Sequence, residues 1–367
     1  MNFIKDIEMT DICPAFDEEK NNLQMTATPI MPQGITLFVT LRCTAACDNC
    51  CFGCTPTQGR SMTLEEMMNY VDMSLEAYPD TLKSLDLTGG ECMLLGKNID
   101  KILAYGKSKG LKGSMVSNAF WATDYDKAYK TLKRLKRNGL TQIALSTGKD
   151  HNAYVPWKNV RNAAVAASHL GLVTELRVEY QYGFRTILDE FYRDAEVMDL
   201  VNSGKIIFTK NVWMRYHNKR KKPRNVKLRY YNFDECTPCK FLFSKIIINP
   251  YGEVYACCGI GVCHIPQMRL GNVNKEPIQT IYERAFDDFL KIWLYTHGPK
   301  AILKYVHEKT GQAFNWYSTH ACDMCRAIFM DKTILPVVRE NFFDAAYSAI
   351  DLYEIEAKTH NESSAKR

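Results

Sequence analysis

An α/β fold built on a parallel sheet is what this sequence predicts, and three observations predict it. Between Gly34 and about Lys210, short apolar runs alternate with longer stretches of helical periodicity, the pattern of repeated βα units. Gly110, Gly139, Gly171 and Gly204 stand just past four of the helical stretches, where a C-cap wants a residue free to turn left-handed. The residues that carry chemistry then fall at the ends of the expected strands, as they do in parallel βα folds.

Taken in order, the strands are expected at 36–41, 84–87, 113–116, 142–145, 173–178 and 206–208, with helices at 64–78, 97–109, 125–138, 159–171 and 186–202. Ser61-Met-Thr63 ahead of Glu66 reads as a capping box that starts the first helix. After a basic stretch, the apolar run 245–249, the turn Pro250-Tyr-Gly-Glu253 and the run 254–258 predict a β-hairpin. Residues 335–358 read as a helix with Pro336 in its first turn, and 359–367 as a polar frayed tail. The expected organisation is a 1–33 extension, a catalytic unit at 34–210, a basic linker at 211–235, a small α+β cysteine-rich domain at 236–334, and a helix and tail at 335–367.

Composition narrows the setting. The chain has 367 residues, 46% of them hydrophobic, enough for one large domain and a smaller one. Its first residues carry charges where a signal peptide needs an apolar core, and no apolar run approaches the roughly 20 residues that span a bilayer. A soluble, cytoplasmic protein with reduced thiols is expected, so the 14 cysteines point to metal rather than to disulfides. A net charge of +6 is mild and does not by itself argue for a nucleic-acid partner. The run from Lys210 to Tyr231 interleaves bases with aromatics; it reads as an interdomain linker with a secondary role in contacting a peptide.

The richest stretch is Cys43-Thr-Ala-Ala-Cys47-Asp-Asn-Cys50, directly after the first strand. Three thiolates at this spacing ligate three irons of a cubane cluster and leave the fourth iron open to a small molecule, whereas a purely redox cluster takes four protein ligands. The run resembles the cluster loop of the radical S-adenosylmethionine (SAM) enzymes. What the resemblance implies is a partial (β/α)6 TIM-like barrel and a [4Fe-4S] cluster on Cys43, Cys47 and Cys50 that chelates SAM. Gly89-Gly90-Glu91 after the second strand is similar to that family's Gly-Gly-Glu motif, which receives the SAM amino group. Ser117 and Asn118 after the third strand and Ser146 after the fourth are similar to its ribose and carboxylate contacts. Lys158 stands at the spacing where relatives carry an arginine for the SAM carboxylate, with Arg161 one turn on. Asn49 replaces the usual aromatic neighbour of the adenine, a place that Phe52 is expected to take.

The second half resembles the twitch or SPASM extension of the same enzymes, which holds an auxiliary cluster. By that resemblance Cys239, Cys257, Cys322 and Cys325 ligate one auxiliary [4Fe-4S] cluster. Cys322-Asp-Met-Cys325 by itself offers a chelating pair that suits a cluster or a zinc ion equally. Cys236 stands as an alternative to Cys239, and Cys236 with Cys263 as a further centre. By resemblance to radical SAM peptide epimerases Cys258 is read as a hydrogen donor to a substrate radical, against the plainer reading of a small buried side chain; Cys51, Cys54 and Cys92 read first as small buried side chains, with a further role left open for Cys92, which stands where the family more often has proline.

The implied reaction is reductive cleavage of SAM and hydrogen abstraction from a substrate, with flavodoxin or ferredoxin as reductant. A peptide substrate leads, giving a crosslink, an oxidised residue or an epimer. A small-molecule dehydrogenase or isomerase stands beside it, because residues 1–33 are short for a leader-binding domain. A non-catalytic zinc or nucleic-acid-binding protein is the reading from a different class.

Overall fold

Strand β1 (Gly34–Thr40) is buried along its whole length and lies inside a nine-stranded sheet. The computed structural model describes residues 27–48, 50–179, 187–211, 231–232, 237–314, 317–318, 320–341 and 343–365. Helix α1 (Leu64–Ala77) starts at the foreseen capping box: Thr63 Oγ1 accepts from Glu66 N at 3.1 Å, and the Glu66 carboxylate accepts from Thr63 N at 2.8 Å. The chain continues as β2 (Ser84–Gly89), α2 (Lys97–Ser108), β3 (Lys112–Ser117), α3 (Tyr125–Arg137) and β4 (Leu140–Thr147). A one-turn helix α4 (Lys149–Asn152) that the sequence did not signal precedes α5 (Trp157–His169) and β5 (Val173–Glu179).

The single helix expected at 186–202 is instead two, α6 (Ile187–Arg193) and α7 (Ala195–Asn202). Asp194 makes the break: its carboxylate accepts from Val197 N at 3.1 Å as a new N-cap and also binds Arg161 at 2.8 Å. Strand β6 (Ile206–Asn211) completes six parallel strands in sequential order.

The later strands are β7 (Tyr231–Asn232), β8 (Ile246–Ile248), β9 (Glu253–Tyr255) and β10 (Arg269–Asn272). The foreseen hairpin β8–β9 does not stand apart. Strand β8 pairs in parallel with β1, Ile35 opposite Ile246 and Leu37 opposite Ile248, so the sheet order is β10-β9-β8-β1-β2-β3-β4-β5-β6. The hairpin thus walls the barrel along the β1 edge.

Alternation along β1 and β2 separates two faces. Ile35, Leu37, Val39, Leu85 and Leu87 are buried on one, while the other carries Thr36 and Asp86, continued by Ser114, Glu175, Arg177 and Thr209. The sheet therefore has an apolar face and a polar concave one.

Helix α8 (Ile278–Glu283) leads to α9 (Phe289–Thr310), which kinks at Gly298 (φ 77°) beside Pro299. A Cβ at Gly298 would lie 1.8 Å from the Thr237 carbonyl oxygen, so only glycine lets the helix pass that turn. The kink makes room for the chain entering Cys239, whose N–H donates to Leu294 O at 3.1 Å. Strand β11 (Tyr317–Ser318) pairs with β7, and α10 (Ala321–Met330), α11 (Ile334–Asn341) and α12 (Phe343–Ala365) follow.

The expected frayed tail is helical to Ala365. Its order comes from a clamp on residues 27–33. The Glu354 carboxylate accepts from Thr28 N and Oγ1 at 2.7 and 2.5 Å, Tyr353 Oη donates to Thr28 O at 2.9 Å, and Asn361 exchanges bonds with Met31 N and Pro29 O. Among the described residues no helix is long and apolar enough to cross a membrane. Cys13, Asn49, Cys236 and most of the basic run, including Arg215 and Tyr216, lie outside the described residues.

Candidate active site

The loop after β1 folds back over the concave face. Leu41 N donates to Arg60 O at 2.9 Å and Cys43 N to Thr55 O at 3.1 Å, closing the loop at its base, while Phe52 packs on Phe38 with ring centres 4.8 Å apart. Within it, Gly53 at φ 61° lets its N–H turn back to Cys50 O at 3.1 Å, and Cys54 N donates to Cys50 Sγ at 3.3 Å. Tyr154 Oη, after α4, donates to Ala46 O at 2.9 Å and pins the loop from the opposite side. Cys43, Cys47 and Cys50 are half-buried together.

Their thiols feel one another. Burial pushes Cys43 up to about 11, with Glu91 and Cys50 adding to it; burial also pushes Cys47 well up, with Cys50 and Cys43 next. Cys50 is held down at about 6 by hydrogen bonding from Cys54, against its burial. Three thiolates this crowded need a positive centre among them, which a metal cluster is.

The Gly89-Gly90-Glu91 turn joins three strand ends. Gly90 N donates to Thr40 O at 2.7 Å and Glu91 N to Arg42 O at 2.9 Å, so the turn lies against the start of the cysteine loop. A Cβ at Gly90 would sit 1.9 Å from Arg42 O, and one at Gly89 (φ 121°) 2.2 Å from Thr40 O. The Glu91 side chain is fully buried and points to β3: it accepts from Asn118 N at 2.8 Å, Ser117 Oγ at 2.9 Å and Met93 N at 3.1 Å. Burial pushes its carboxyl up to about 7, and those three donors pull it back.

Asn118 then reaches the loop itself, with Nδ2 donating to Thr44 Oγ1 at 3.0 Å and to Cys43 Sγ at 3.6 Å. Gly89, Gly90, Glu91, Ser117 and Asn118 thus gather around Cys43. The Ser117 hydroxyl also accepts from Trp121 Nε1 and Ala119 N, both at 3.0 Å, and is spent inside the fold. Ser146 is half-buried at the end of β4, opposite Arg177 of β5. Lys158 is exposed on α5, whereas Arg161 binds Asp194 and Glu196. Cys92 is fully buried and donates to Val116 O at 3.0 Å, and Cys54 is buried.

The second cysteine set also comes together. Cys257 is raised by burial and then by the fields of Cys239, Cys325 and Cys322; Cys325 is raised by burial and then by Cys239 and Cys322. Cys257 Sγ and Cys322 Sγ lie 3.3 and 3.2 Å from where a Gly259 side chain would begin. Glycine at 259 therefore leaves the space between two thiols clear. His320 caps α10 by accepting from Cys322 N at 3.1 Å, which aims the Cys322–Cys325 turn. Each of the four thiols is raised by burial and lies within the field of at least one other of the set, while among the described residues no three His, Cys, Asp or Glu groups converge as closely as a single metal ion needs.

Cys258 is exposed, and burial raises its thiol, with Lys245 pulling it down and Asp86 pushing it up. The Lys245 ammonium binds Asp86, and Arg177 binds Glu175 at 2.6 Å. These four charged residues of the concave face were missed in the sequence. Their signal was present as polar residues at alternate positions of otherwise apolar strands, Asp86 within Ser84-Leu-Asp-Leu87 and Glu175 and Arg177 within Val173-Thr-Glu-Leu-Arg-Val178.

A parallel βα sheet with a three-cysteine loop at its first strand end, a glycine turn beside it and a second thiol ring defines an iron–sulfur enzyme. Residues 236–326 match the SPASM family, an iron–sulfur cluster-binding domain. With that match and its three-cysteine loop, the chain has the features of a radical SAM enzyme with a SPASM domain, which works with a [4Fe-4S] cluster, SAM and an auxiliary cluster. It is similar to YydG of Bacillus subtilis (strain 168), a protein named for peptide biosynthesis, with 21% identity over 300 residues that cover 80% of this chain and 91% of the relative. Among solved structures it is similar to BtrN, solved in complex with AdoMet and 2-DOIA (14% identity, TM-score 0.43, covering 74% of this chain and 90% of that one). Another is SuiB of Streptococcus suis (13% identity, TM-score 0.41, covering 69% and 66%).

Proposed function

We propose that this enzyme modifies a peptide by removing a hydrogen from a backbone or side-chain carbon and returning one from Cys258, so that the centre is inverted rather than oxidised. One observation carries the reading. Cys258 follows a thiol of the auxiliary set, yet it is itself exposed and lies within the fields of Lys245, Asp86 and Arg177. The name of the Bacillus relative supports a peptide as the substrate.

In this reading Cys43, Cys47 and Cys50 hold the SAM cluster and Cys239, Cys257, Cys322 and Cys325 the auxiliary one. When bound, cluster and SAM supply a 5′-deoxyadenosyl radical that removes a hydrogen atom from carbon. The chain's own residues do the rest. Gly89 and Gly90 lend open backbone beside the loop, Asn118 holds Cys43 and Thr44 in place, and Ser146 borders the SAM pocket. Lys158, which has no ion-pair partner among the described residues, is the cation for the SAM carboxylate. Cys258 gives its S–H hydrogen to the substrate radical from the opposite side. One electron and one proton, drawn from a flavodoxin- or ferredoxin-type reductant and from solvent, restore the thiol. The hairpin extends the sheet beside β1, next to the strand that leads into the cysteine loop.

The test is to incubate the reduced enzyme with SAM and candidate peptides in deuterated water. A single deuterium at an inverted centre, lost in Cys258→Ala, is the expected result. A product two hydrogens lighter, formed equally well by Cys258→Ala, would show that the auxiliary ring drains the electron and that the reaction is an oxidation.

A further inference from the structure

The auxiliary domain holds the first cysteine loop at two places. At the base of the loop, the Arg60 guanidinium donates to the Pro250 carbonyl in the β8–β9 turn and pairs with Glu66 of α1. At its tip, His264 Nε2 lies 2.8 Å from the Cys51 carbonyl oxygen, 213 positions away in the chain. A carbonyl oxygen only accepts, so Nε2 carries the hydrogen of this bond. Cys51 directly follows Cys50, the third thiol of the loop.

The placement of His264 follows from its own segment. Val262–His264 is a 3-10 turn, in which Val262 N donates to Gly259 O at 3.1 Å and His264 N to Gly261 O at 2.9 Å. Residues three apart share a side of such a turn, and Val262 and Ile265 are both buried, which leaves Cys263 and His264 on the open side. The other end of the segment meets the second thiol set. A side chain begun at Gly259 would lie 3.2 Å from Cys322 Sγ and 3.3 Å from Cys257 Sγ. The segment 259–264 therefore runs from two auxiliary thiols to the backbone of the first loop.

The bond at Cys51 bears on Cys50 through a tight turn. Gly53 N donates to Cys50 O at 3.1 Å and Cys54 N to Cys50 Sγ at 3.3 Å, so Cys51 and Phe52 span the turn that brings an N–H to that sulfur. Phe52 packs on Phe38, whose ring centre also lies 6.3 Å from that of Tyr255 in β9. Both middle residues of the turn are thus held, one by a ring contact and one by His264. We infer that His264 is a positioning residue for the cysteine loop, which holds the Cys50–Cys54 turn from the auxiliary domain and keeps the Cys54 N–H on the Cys50 sulfur. It acts through the Cys51 backbone. The reduction potential of the first cluster is then set in part from the auxiliary domain, because hydrogen bonds to cluster sulfurs stabilise the reduced form. The inference rests on Cys43, Cys47 and Cys50 as the ligands of the SAM cluster, and not on Cys258.

The test is an EPR-monitored redox titration of anaerobic, cluster-loaded enzyme with and without SAM, in which the signal that SAM perturbs belongs to the first cluster and the other to the auxiliary one. His264→Ala is expected to weaken reduction of the first cluster about threefold, so that it is about one quarter reduced where the wild type is half reduced, since hydrogen bonds to the sulfurs help set the potential. The auxiliary signal stays where it was. His264→Gln, whose amide N–H donates to the same carbonyl, restores the wild-type titration. Iron analysis covers a variant that loads poorly: loss confined to the first cluster, or loss in His264→Ala that His264→Gln repairs, has the same meaning. An unmoved titration in His264→Ala, an equal shift or loss in both variants, or iron lost from the auxiliary site alone overturns the assignment. Were the ligand reading itself wrong, Cys43→Ala would keep the SAM-perturbed signal, so the two readings fail separately.

Discussion

The Glu91 carboxylate accepts the main-chain N–H of Asn118 at 2.8 Å, tying the glycine turn after β2 to the end of β3. The same Asn118 bonds Cys43 Sγ and Thr44 Oγ1, so one buried acid supports the cysteine loop through its neighbour. Glu91 is thus spent inside the fold, and what the turn offers a ligand is backbone.

That arrangement has a pH signature. Glu91 is pushed up to about 7 from an ordinary 4.5, chiefly by burial, so the folded protein holds this proton more tightly than the unfolded chain. Its contribution to stability is fully present below about 4.5 and is lost as pH rises through about 7. Glu91→Gln removes the titration and sets an amide N–H against three donors, a cost of about 1–3 kcal/mol. Urea unfolding from pH 5.5 to 8 should show the wild type's margin over Glu91→Gln shrinking as pH rises; a margin that grows would contradict the assignment.

Asn118 acts on the cysteine loop by hydrogen bonding to sulfur, which stabilises the reduced form of a cluster. Asn118→Leu should keep the iron content and lower the cluster potential by some tens of millivolts, since hydrogen bonds to the sulfurs are among the factors that set it. An EPR-monitored redox titration reads this directly.

Gly90 has no room for a side chain. The Arg42 carbonyl oxygen would lie 1.9 Å from the new Cβ, and that oxygen is fixed by the N–H of Glu91. Gly90→Ala should displace the loop, cost about 3 kcal/mol and reduce SAM cleavage more than tenfold, overpacking against backbone being expensive. Retention of wild-type SAM cleavage by this variant would mean that the turn does not hold the loop.

The two thiol sets predict different losses. The whole enzyme should carry about eight irons, falling to about four in both Cys43→Ala and Cys322→Ala. SAM cleavage should vanish in the first and persist in the second. Cys54→Ala and Cys92→Ala should leave the iron content unchanged. Iron and sulfide analysis with a 5′-deoxyadenosine assay separates these outcomes.

Much of this was legible in the residues. The alternation of apolar runs from Gly34 onward carried the six parallel strands, because period-2 and period-3.6 patterns are local. The spacing of Cys43, Cys47 and Cys50 and the Gly-Gly-Glu turn are local patterns too, and the structure lays the turn against the start of the cysteine loop. Asp194 was not legible, since an aspartate within a helical stretch caps a new helix only when a partner such as Arg161 stands opposite. The helical tail was missed because its polar residues looked solvated, whereas Asn361 and Glu354 meet backbone groups of residues more than 300 positions away.

The sequence by itself determined the chemistry of this protein: a three-thiol loop at a strand end, a backbone turn beside it and a cysteine-rich second half. Only the tertiary structure decided where those parts meet. That β8 pairs with the free edge of β1, and that four cysteines spread between 239 and 325 come within one another's fields, depend on which edges and faces find each other across the chain. Such choices rest on long-range pairing and on satisfying every buried polar group at once, and no local pattern encodes them.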